Sequence, residues 1–453
     1  MNKMISNDFS QGSLMRHVLK QSIPLSIAYF IQLLYNIVDR IYIGHLNGAD
    51  GRVLTGIGIV IPIISIIAAF TNLFASGGAP LFSIARGAGE KDDALDLKNQ
   101  TFSLLAITSI VLTIGFVLFK RDILHIFGAS EGTFVYANRY FSIYVFGTFF
   151  SMVGNGMIQF INAEGFAKEG MMIVIAGAVI NIILDPVFIF LLNMGIGGAA
   201  LATVFAQICS FVLVVKFLLG DKTAYPMIVS RMRLKIKNVG RIVALGLAGF
   251  VMEVSNSLVQ AVCNISVKHY GGDLSITIMT IINSVREIVN IAITGISNGA
   301  KPVIGYNYGA RKGERVKKTI VICTVLSLGY TLFIWVLIML IPGVFIRIFN
   351  SDPRILEDGI IAMKLYFSGI FFMSFQFVGQ TTFVAVGKAK NAIFFSIFRK
   401  IIIVIPLTIL LPRLWGMGID GVYIAEPISN IIGGCACMTT MLFVVRKELK
   451  KYD

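Results

Sequence analysis

Long apolar runs, each closed by a short polar turn, follow one another along the whole chain. A run crosses a bilayer when it reaches about 20 residues. Runs of that length fall at 18–44, 53–82, 95–119, 132–163, 168–191 and 196–219. A second set falls at 238–267, 274–305, 316–341, 355–384, 389–412 and 418–446. The pattern predicts an all-α membrane protein with twelve transmembrane helices. The longest basic linker, 220–240, divides them six and six. The expected organisation is therefore an N-lobe over 1–219, a cytoplasmic linker over 220–240 and a C-lobe over 241–453.

The two halves repeat one another. Gly77, Pro80, Gly87 and Ala88 return 222 positions later as Gly299, Pro302, Gly309 and Ala310. Ala163, Gly165, Ala167 and Lys168 return at the same offset as Ala385, Gly387, Ala389 and Lys390. Met194-Gly195-Ile196 returns as Met417-Gly418-Ile419 at an offset of 223. Six spans per repeat is an even number, so both repeats enter from the same side of the membrane. They are parallel repeats, related by an axis along the membrane normal. Two pseudo-symmetric six-helix lobes flanking a cleft are a transporter architecture.

Composition narrows the class. The chain is 56% hydrophobic and 14% charged, against about 25% charged in soluble domains. The net charge of +15 raises nucleic acid as a partner, but basic cytoplasmic loops explain it more simply. Most of the 39 Lys and Arg fall on one side if both termini are cytoplasmic, as Arg231, Arg233, Lys235 and Lys237 do in the 220–240 linker and Arg241 directly after it. Both termini are therefore expected inside a bacterial cell membrane. In the linker, Met227, Ile228, Met232, Leu234 and Ile236 alternate with charges, so it is expected to lie on the anionic inner leaflet. The five cysteines form no CxxC pair, and His17, His45, His125 and His269 have no metal-ligand spacing. Neither HExxH, a nucleophile elbow nor a phosphate loop is present, so an enzyme is not expected. The first apolar run is too long for a signal h-region, so no cleavable signal peptide is expected.

The chemistry lies in polar residues set inside apolar runs. Asn181 and Asp185 are four apart in the fifth span and share one helical face. An aspartate near mid-span costs roughly 2.5–3.5 kcal/mol on the most lenient scale. Pro186 lacks an N–H, so the carbonyl of Ile182 loses its helical partner. In the first span Gln32, Asn36 and Asp39 line one face, and Pro24 is placed to bend that helix. Asp39 lies about six residues, roughly 9 Å, below the outer loop that begins near His45. Counted from the turn at 193–197, Asp185 and Thr203 reach a similar depth. Asp39, Asp185 and Thr203 are thus expected to line one cavity, with Asn181 one turn deeper. Two carboxylates that approach one another share a proton, or hold a sodium ion in its place.

The second lobe differs. Offsets of 222–224 put Cys263 opposite Asp39, and Leu407 or Thr408 opposite Asp185. Glu253 is the acid inside the seventh span. Glu287 follows Arg286, with which it is expected to pair unless it lines a polar cavity. Gln376 and Gln380 form a neutral polar face in the tenth span. The 18 Met and 35 Phe would suit a cleft that repacks around flat apolar cations.

Together, Pro24 with Asn36-x-x-Asp39, Gly77-Gly78-x-Pro80 as a helix end followed by Gly87, Asn181-x-x-x-Asp185-Pro186 and Gly195-x-Gly197-Gly198-Ala199-Ala200-x-Ala202-Thr203 resemble the multidrug and toxic compound extrusion (MATE) transporters. The match covers essentially the whole chain and is closest to the MepA-like branch. The resemblance implies a cation-coupled exporter of amphipathic, often cationic, drugs and dyes. It implies an N-lobe ion site at Asp39, Asn181, Asp185 and Thr203, with Tyr140 beside it and Pro24 on a bending first helix. Glu253 matches an acid used in the NorM-like branch. That branch also has a tenth-span acid, where this chain offers Gln376 or Gln380.

The expected function is proton- or sodium-coupled antiport with no cofactor beyond the coupling ion. The expected partners are small-molecule drugs and dyes and membrane lipids, with no nucleic acid, and the protein is expected to act as a monomer. The alternative is a flippase of a lipid-linked precursor, whose anionic pyrophosphate would call for basic residues among Arg40, Arg139, Arg286, Lys301, Lys364, Arg399 and Lys400.

Overall fold

A computed structural model describes residues 8–44, 51–350, 352–414 and 416–451, with the side chains of residues 40, 44 and 51–54 left aside. His45 lies outside the described residues, and so does the side chain of Arg40. In hydrocarbon every backbone N–H and C=O must be bonded within its own segment, so apolar runs of this length become helices. Eleven helices of the described residues are long and apolar enough to cross a membrane. They are α1 (Leu14–Ile43), α2 (Thr55–Gly87), α3 (Lys91–Leu118), α4 (Glu131–Ala163), α5 (Ala167–Leu191), α6 (Ile196–Leu219), α7 (Ile236–Gly309), α8 (Gly313–Leu340), α9 (Pro353–Ala385), α10 (Ala389–Arg413) and α11 (Gly418–Leu449). The 74 residues of α7 are broken at Gly272, whose φ of 62° no helix tolerates. At 1.5 Å per residue its whole length would be about 111 Å, several times a bilayer core of about 30 Å. The kink therefore separates two spans.

Residues Ile27–Gly246 form one compact unit, and Phe9–Ser26 with Leu247 onward form the second. In the first unit, Gly77 lets the backbone of α2 close on Ile242, and Gly246 lets the start of α7 close on Leu73. In the second, Gly299 lies where a Cβ would be 2.6 Å from the Ser22 nitrogen, and Gly295 where one would be 2.9 Å from the Ser26 Cα. Ser22 displaced by 222 is Ala244, midway between Ile242 and Gly246. The same crossing is thus made once in each unit. Gly77-Gly78-x-Pro80 is not the helix end that its glycines suggested. The helix runs on to Gly87, and the absent side chain serves backbone approach.

Two kinds of irregularity recur, the 3-10 turn near the repeat offset and the π-helical stretch well short of it. A 3-10 turn interrupts α4 at Val145–Gly147 and α9 at Ile370–Phe372. A π-helical stretch interrupts α5 at Val187–Leu191 and α10 at Phe398–Val404. The lipid-facing stripe is plain on α3, where Ile107, Ile110, Val111, Ile114 and Val117 are exposed at three- and four-residue spacing.

The 220–240 linker is strapped to α3 rather than left to lipid alone. Arg231 pairs with Asp92 at 2.6 Å and Asp96 at 3.2 Å, Lys235 with Asp96, and Arg241 with Asp93 at 3.0 Å. The Ile228 N–H donates to Asn99 Oδ1 at 2.8 Å, and the Lys235 N–H to Gln100 Oε1 at 3.1 Å. Beneath it, Lys98 and Glu164 form a fully buried pair at 2.5 Å. Lys98 also donates to the Tyr225 carbonyl at 2.6 Å, and Thr223 to Glu164 at 2.5 Å.

Candidate functional site

The site is built on four helices of the first unit. On α5, Asn181 and Asp185 are one turn apart and buried at 1% and 0% exposure. Asn181 Nδ2 donates to Asp185 Oδ1 and to Thr203 Oγ1 on α6, both at 3.4 Å. Thr203 in turn donates to the Ala199 carbonyl at 3.0 Å. From α1, the Asp39 carboxyl meets the Asp185 carboxyl as a hydrogen-bonding and electrostatic neighbour. From α4, Tyr140 is hydrogen-bonded to Thr203.

Just beyond Asp185 the helix widens. The chain is α-helical through Pro186 and π-helical over Val187–Leu191, where the Leu192 N–H reaches the Val187 carbonyl at 2.9 Å. Pro186 supplies no N–H, and a wider turn is one way to proceed past it. Gly198 of α6 packs on this turn, since a Cβ there would lie 2.6 Å from the Phe188 carbonyl. The π-helical turn and the carboxylate thus adjoin in one helix.

Two acceptors in the cluster, Asp185 Oδ2 and Asn181 Oδ1, are buried with no hydrogen-bond donor among the described residues. Buried polar atoms are nearly always bonded. Oxygen acceptors lacking donors, beside two touching carboxyls, are a donor set for a proton or a hard cation.

Three further polar residues belong to the cluster and escaped the sequence reading. Tyr35 is an electrostatic neighbour of Asp39, Asp185 and Tyr144. Tyr144 stacks on Tyr140 with ring centroids 5.8 Å apart, and Gln207 donates to its hydroxyl at 3.4 Å. Each lies one helical turn from a residue already singled out: Tyr35 from Asp39, Tyr144 from Tyr140, Gln207 from Thr203. That spacing was the signal.

Other expected residues lie elsewhere. Gln32 and Asn36 are exposed on α1, and Pro24 is half-buried within that helix. Glu253 is exposed on α7. Gln376 donates to the Phe395 carbonyl at 3.2 Å and Gln380 to Ser396 Oγ at 2.8 Å, so both tie α9 to α10. Glu287 is exposed, while Arg286 donates to Tyr366 at 3.0 Å and Gln260 at 3.4 Å instead of pairing with it.

A family model described as MatE matches residues 24–187 and 249–410. The chain belongs to the MATE family of membrane transporters. It is thus a multi-pass membrane protein and not an enzyme. Over 440 residues it is 25% identical to the multidrug export protein MepA of Staphylococcus haemolyticus (strain JCSC1435), covering 96% of this chain and 94% of that one. It is 22% identical over 445 residues to the protein of the same name from Staphylococcus aureus (strain MRSA252), covering 97% and 96%. Among solved structures it superposes with a TM-score of 0.93 at 21% identity on an outward-facing multidrug resistance MATE transporter, with both chains fully covered. The all-helical MATE fold is therefore that of this chain.

Proposed function

We propose that the protein exports amphipathic, often cationic, drugs and dyes across a bacterial cell membrane, by alternating access coupled to inward flow of a proton or sodium ion. The full-length MATE relatives described as multidrug export proteins support the drug reading. The contact between Asp39 and Asp185, with unpaired oxygens beside it, carries the coupling reading. A hydrogen bond between two carboxyls needs a proton between them, and a sodium ion can take its place.

The mechanism follows from where the two acids are anchored. Asp39 is on α1 and Asp185 on α5, so the charge on the pair sets whether those helices attract or repel. Loss of the ion leaves two carboxylates facing each other, and α1 is the element that moves away. Pro24 is the hinge: it lies two residues before the Ser26–Ile27 division between the compact units. Both termini are assigned to the cytoplasm. One charge moving inward yields about 2.3 kcal/mol per 100 mV, enough for a roughly fiftyfold solute gradient.

The test is dye efflux from proteoliposomes with a proton or a sodium gradient imposed separately. Asp39→Asn and Asp185→Asn are each expected to abolish ion-driven efflux, and coupled transport by both variants would sink the reading. A lipid-linked precursor flippase is the second reading, favoured by buried basic residues in the second unit. Lipid translocation without any ion gradient would select it.

A further inference from the structure

The second unit carries its own buried charge cluster, with the opposite sign. Arg399 and Lys400 lie on the π-helical stretch of α10, and Glu426 on α11. All three are buried, at 5, 7 and 6% exposure. Arg399 Nη1 donates to Glu426 Oε1 at 3.1 Å and to Asn430 Oδ1 at 2.6 Å. Lys400 Nζ reaches the same Glu426 oxygen at 3.6 Å. Arg286 of α7 stands within electrostatic reach of Glu426, held by Tyr366. Three basic side chains thus share one carboxylate. Gly433 makes room for this, since a Cβ there would lie 2.7 Å from the Arg399 stem.

The internal repeat shows which place this is. At an offset of 223, Glu426 corresponds to Thr203 and Asn430 to Gln207. At 222, Tyr366 corresponds to Tyr144, and at 224 Cys263 corresponds to Asp39. Glu426, the carboxylate that the basic residues share, thus stands in the second unit where Thr203 of the carboxylate cluster stands in the first, although Arg399 and Lys400 themselves correspond to Gly177 and Ala178 rather than to Asp185.

Two observations point to a ligand. Arginine stays charged in proteins, so even a neutral Lys400 leaves two guanidinium groups on one carboxylate. Uncompensated charge inside a span is costly. In addition, the Nε atoms of Arg286 and Arg399 are buried with no acceptor among the described residues. A guanidinium has five donors in a planar fork that matches an oxyanion, and each of these two has its Nε edge left over.

We propose that the second unit binds an oxyanion, a carboxylate or phosphate group, between Arg286, Arg399 and Lys400. A transported solute would then be zwitterionic rather than purely cationic. The transport step rests on the export reading above, but the binding does not.

Equilibrium binding without a gradient therefore tests the site separately from Asp39 and Asp185. The full chain is placed in phosphatidylcholine nanodiscs and titrated with a rhodamine bearing a free carboxylate, and with its methyl ester. A parallel arm mixes in phosphatidylglycerol and measures which lipid the purified protein retains. The site is supported by at least a tenfold preference for the free carboxylate, or by selective retention of phosphatidylglycerol, that both Arg286→Gln and Lys400→Met remove. Whichever preference is seen names the source, solute or lipid headgroup. Both variants keep the Arg399–Glu426–Asn430 bonds, and thermal melting checks their folding. Should either not fold, competition in wild-type protein by benzoate but not benzamide decides the point. Wild-type protein that shows neither preference, variants that keep it, or equal competition by benzoate and benzamide would overturn the proposal.

Discussion

Single residues in this protein act through what they leave unpaired. Tyr140 adds a bond from α4 to a Thr203 hydroxyl that Asn181 and the Ala199 carbonyl also hold, so Tyr140→Phe leaves Thr203 less firmly placed beside Asn181. The expected result is a several-fold rise in the ion concentration for half-maximal transport at an unchanged maximal rate, read by titrating the driving ion in vesicles. The Lys98–Glu164 pair is fully buried. Removing one partner of such a pair costs about 3–5 kcal/mol, because the other charge stays buried. Lys98→Met is expected to lower the melting temperature, and adding Glu164→Gln is expected to recover most of the loss.

At the scale of elements, the irregular turns matter more than the regular helices. The π-helical stretch after Asp185 begins directly past Pro186, which has no N–H to donate. Pro186→Ala restores the donor and favours an ordinary α-turn, which would rotate the residues after Asp185. Ion-driven efflux is expected to fall several-fold while expression is unchanged, as read by transport per amount of purified protein. The linker is held to α3 by surface ion pairs and by two backbone N–H groups bonded to Asn99 and Gln100. Surface pairs weaken with salt and buried hydrogen bonds far less. Trypsin cutting at Arg231 and Arg233 is expected to speed up at high salt and with Asp92→Asn plus Asp96→Asn. A rate independent of both would mean that the ion pairs do not hold the strap.

For the whole molecule, the number and direction of crossings follow from Gly272. A kink there makes α7 two spans and brings Asp273 to the side opposite the termini. Asp273→Cys is expected to react with a membrane-impermeant maleimide in intact cells, while a cysteine appended at the C-terminus reacts only after permeabilisation. Native cysteines that are buried or half-buried give a low background. Labelling of both sites from the same side would remove the twelve-span arrangement.

Much of this was legible in the sequence, because the information was local. Hydrophobic run length decides whether a segment crosses, and a residue's distance from its turn sets its depth. Asp39, Asp185 and Thr203 were placed at one level on those grounds, Asn181 joined them by sharing a helical face with Asp185, and the MATE fold followed from the repeat and its motifs. Helical periodicity places residues on one face but does not say which neighbour that face meets. Gln32 and Asn36 share a face with Asp39 yet stand exposed, while Tyr35, Tyr144 and Gln207 join the cluster. The linker's partners on α3 lie more than a hundred residues away in the chain, and so do the residues that hold Gly77 and Gly299. The gathering of Arg286, Arg399 and Lys400 around Glu426 needed three helices to pack before it existed. Local patterning thus determined which residues enter the membrane and how deep, and packing of distant segments decided which of their charges meet.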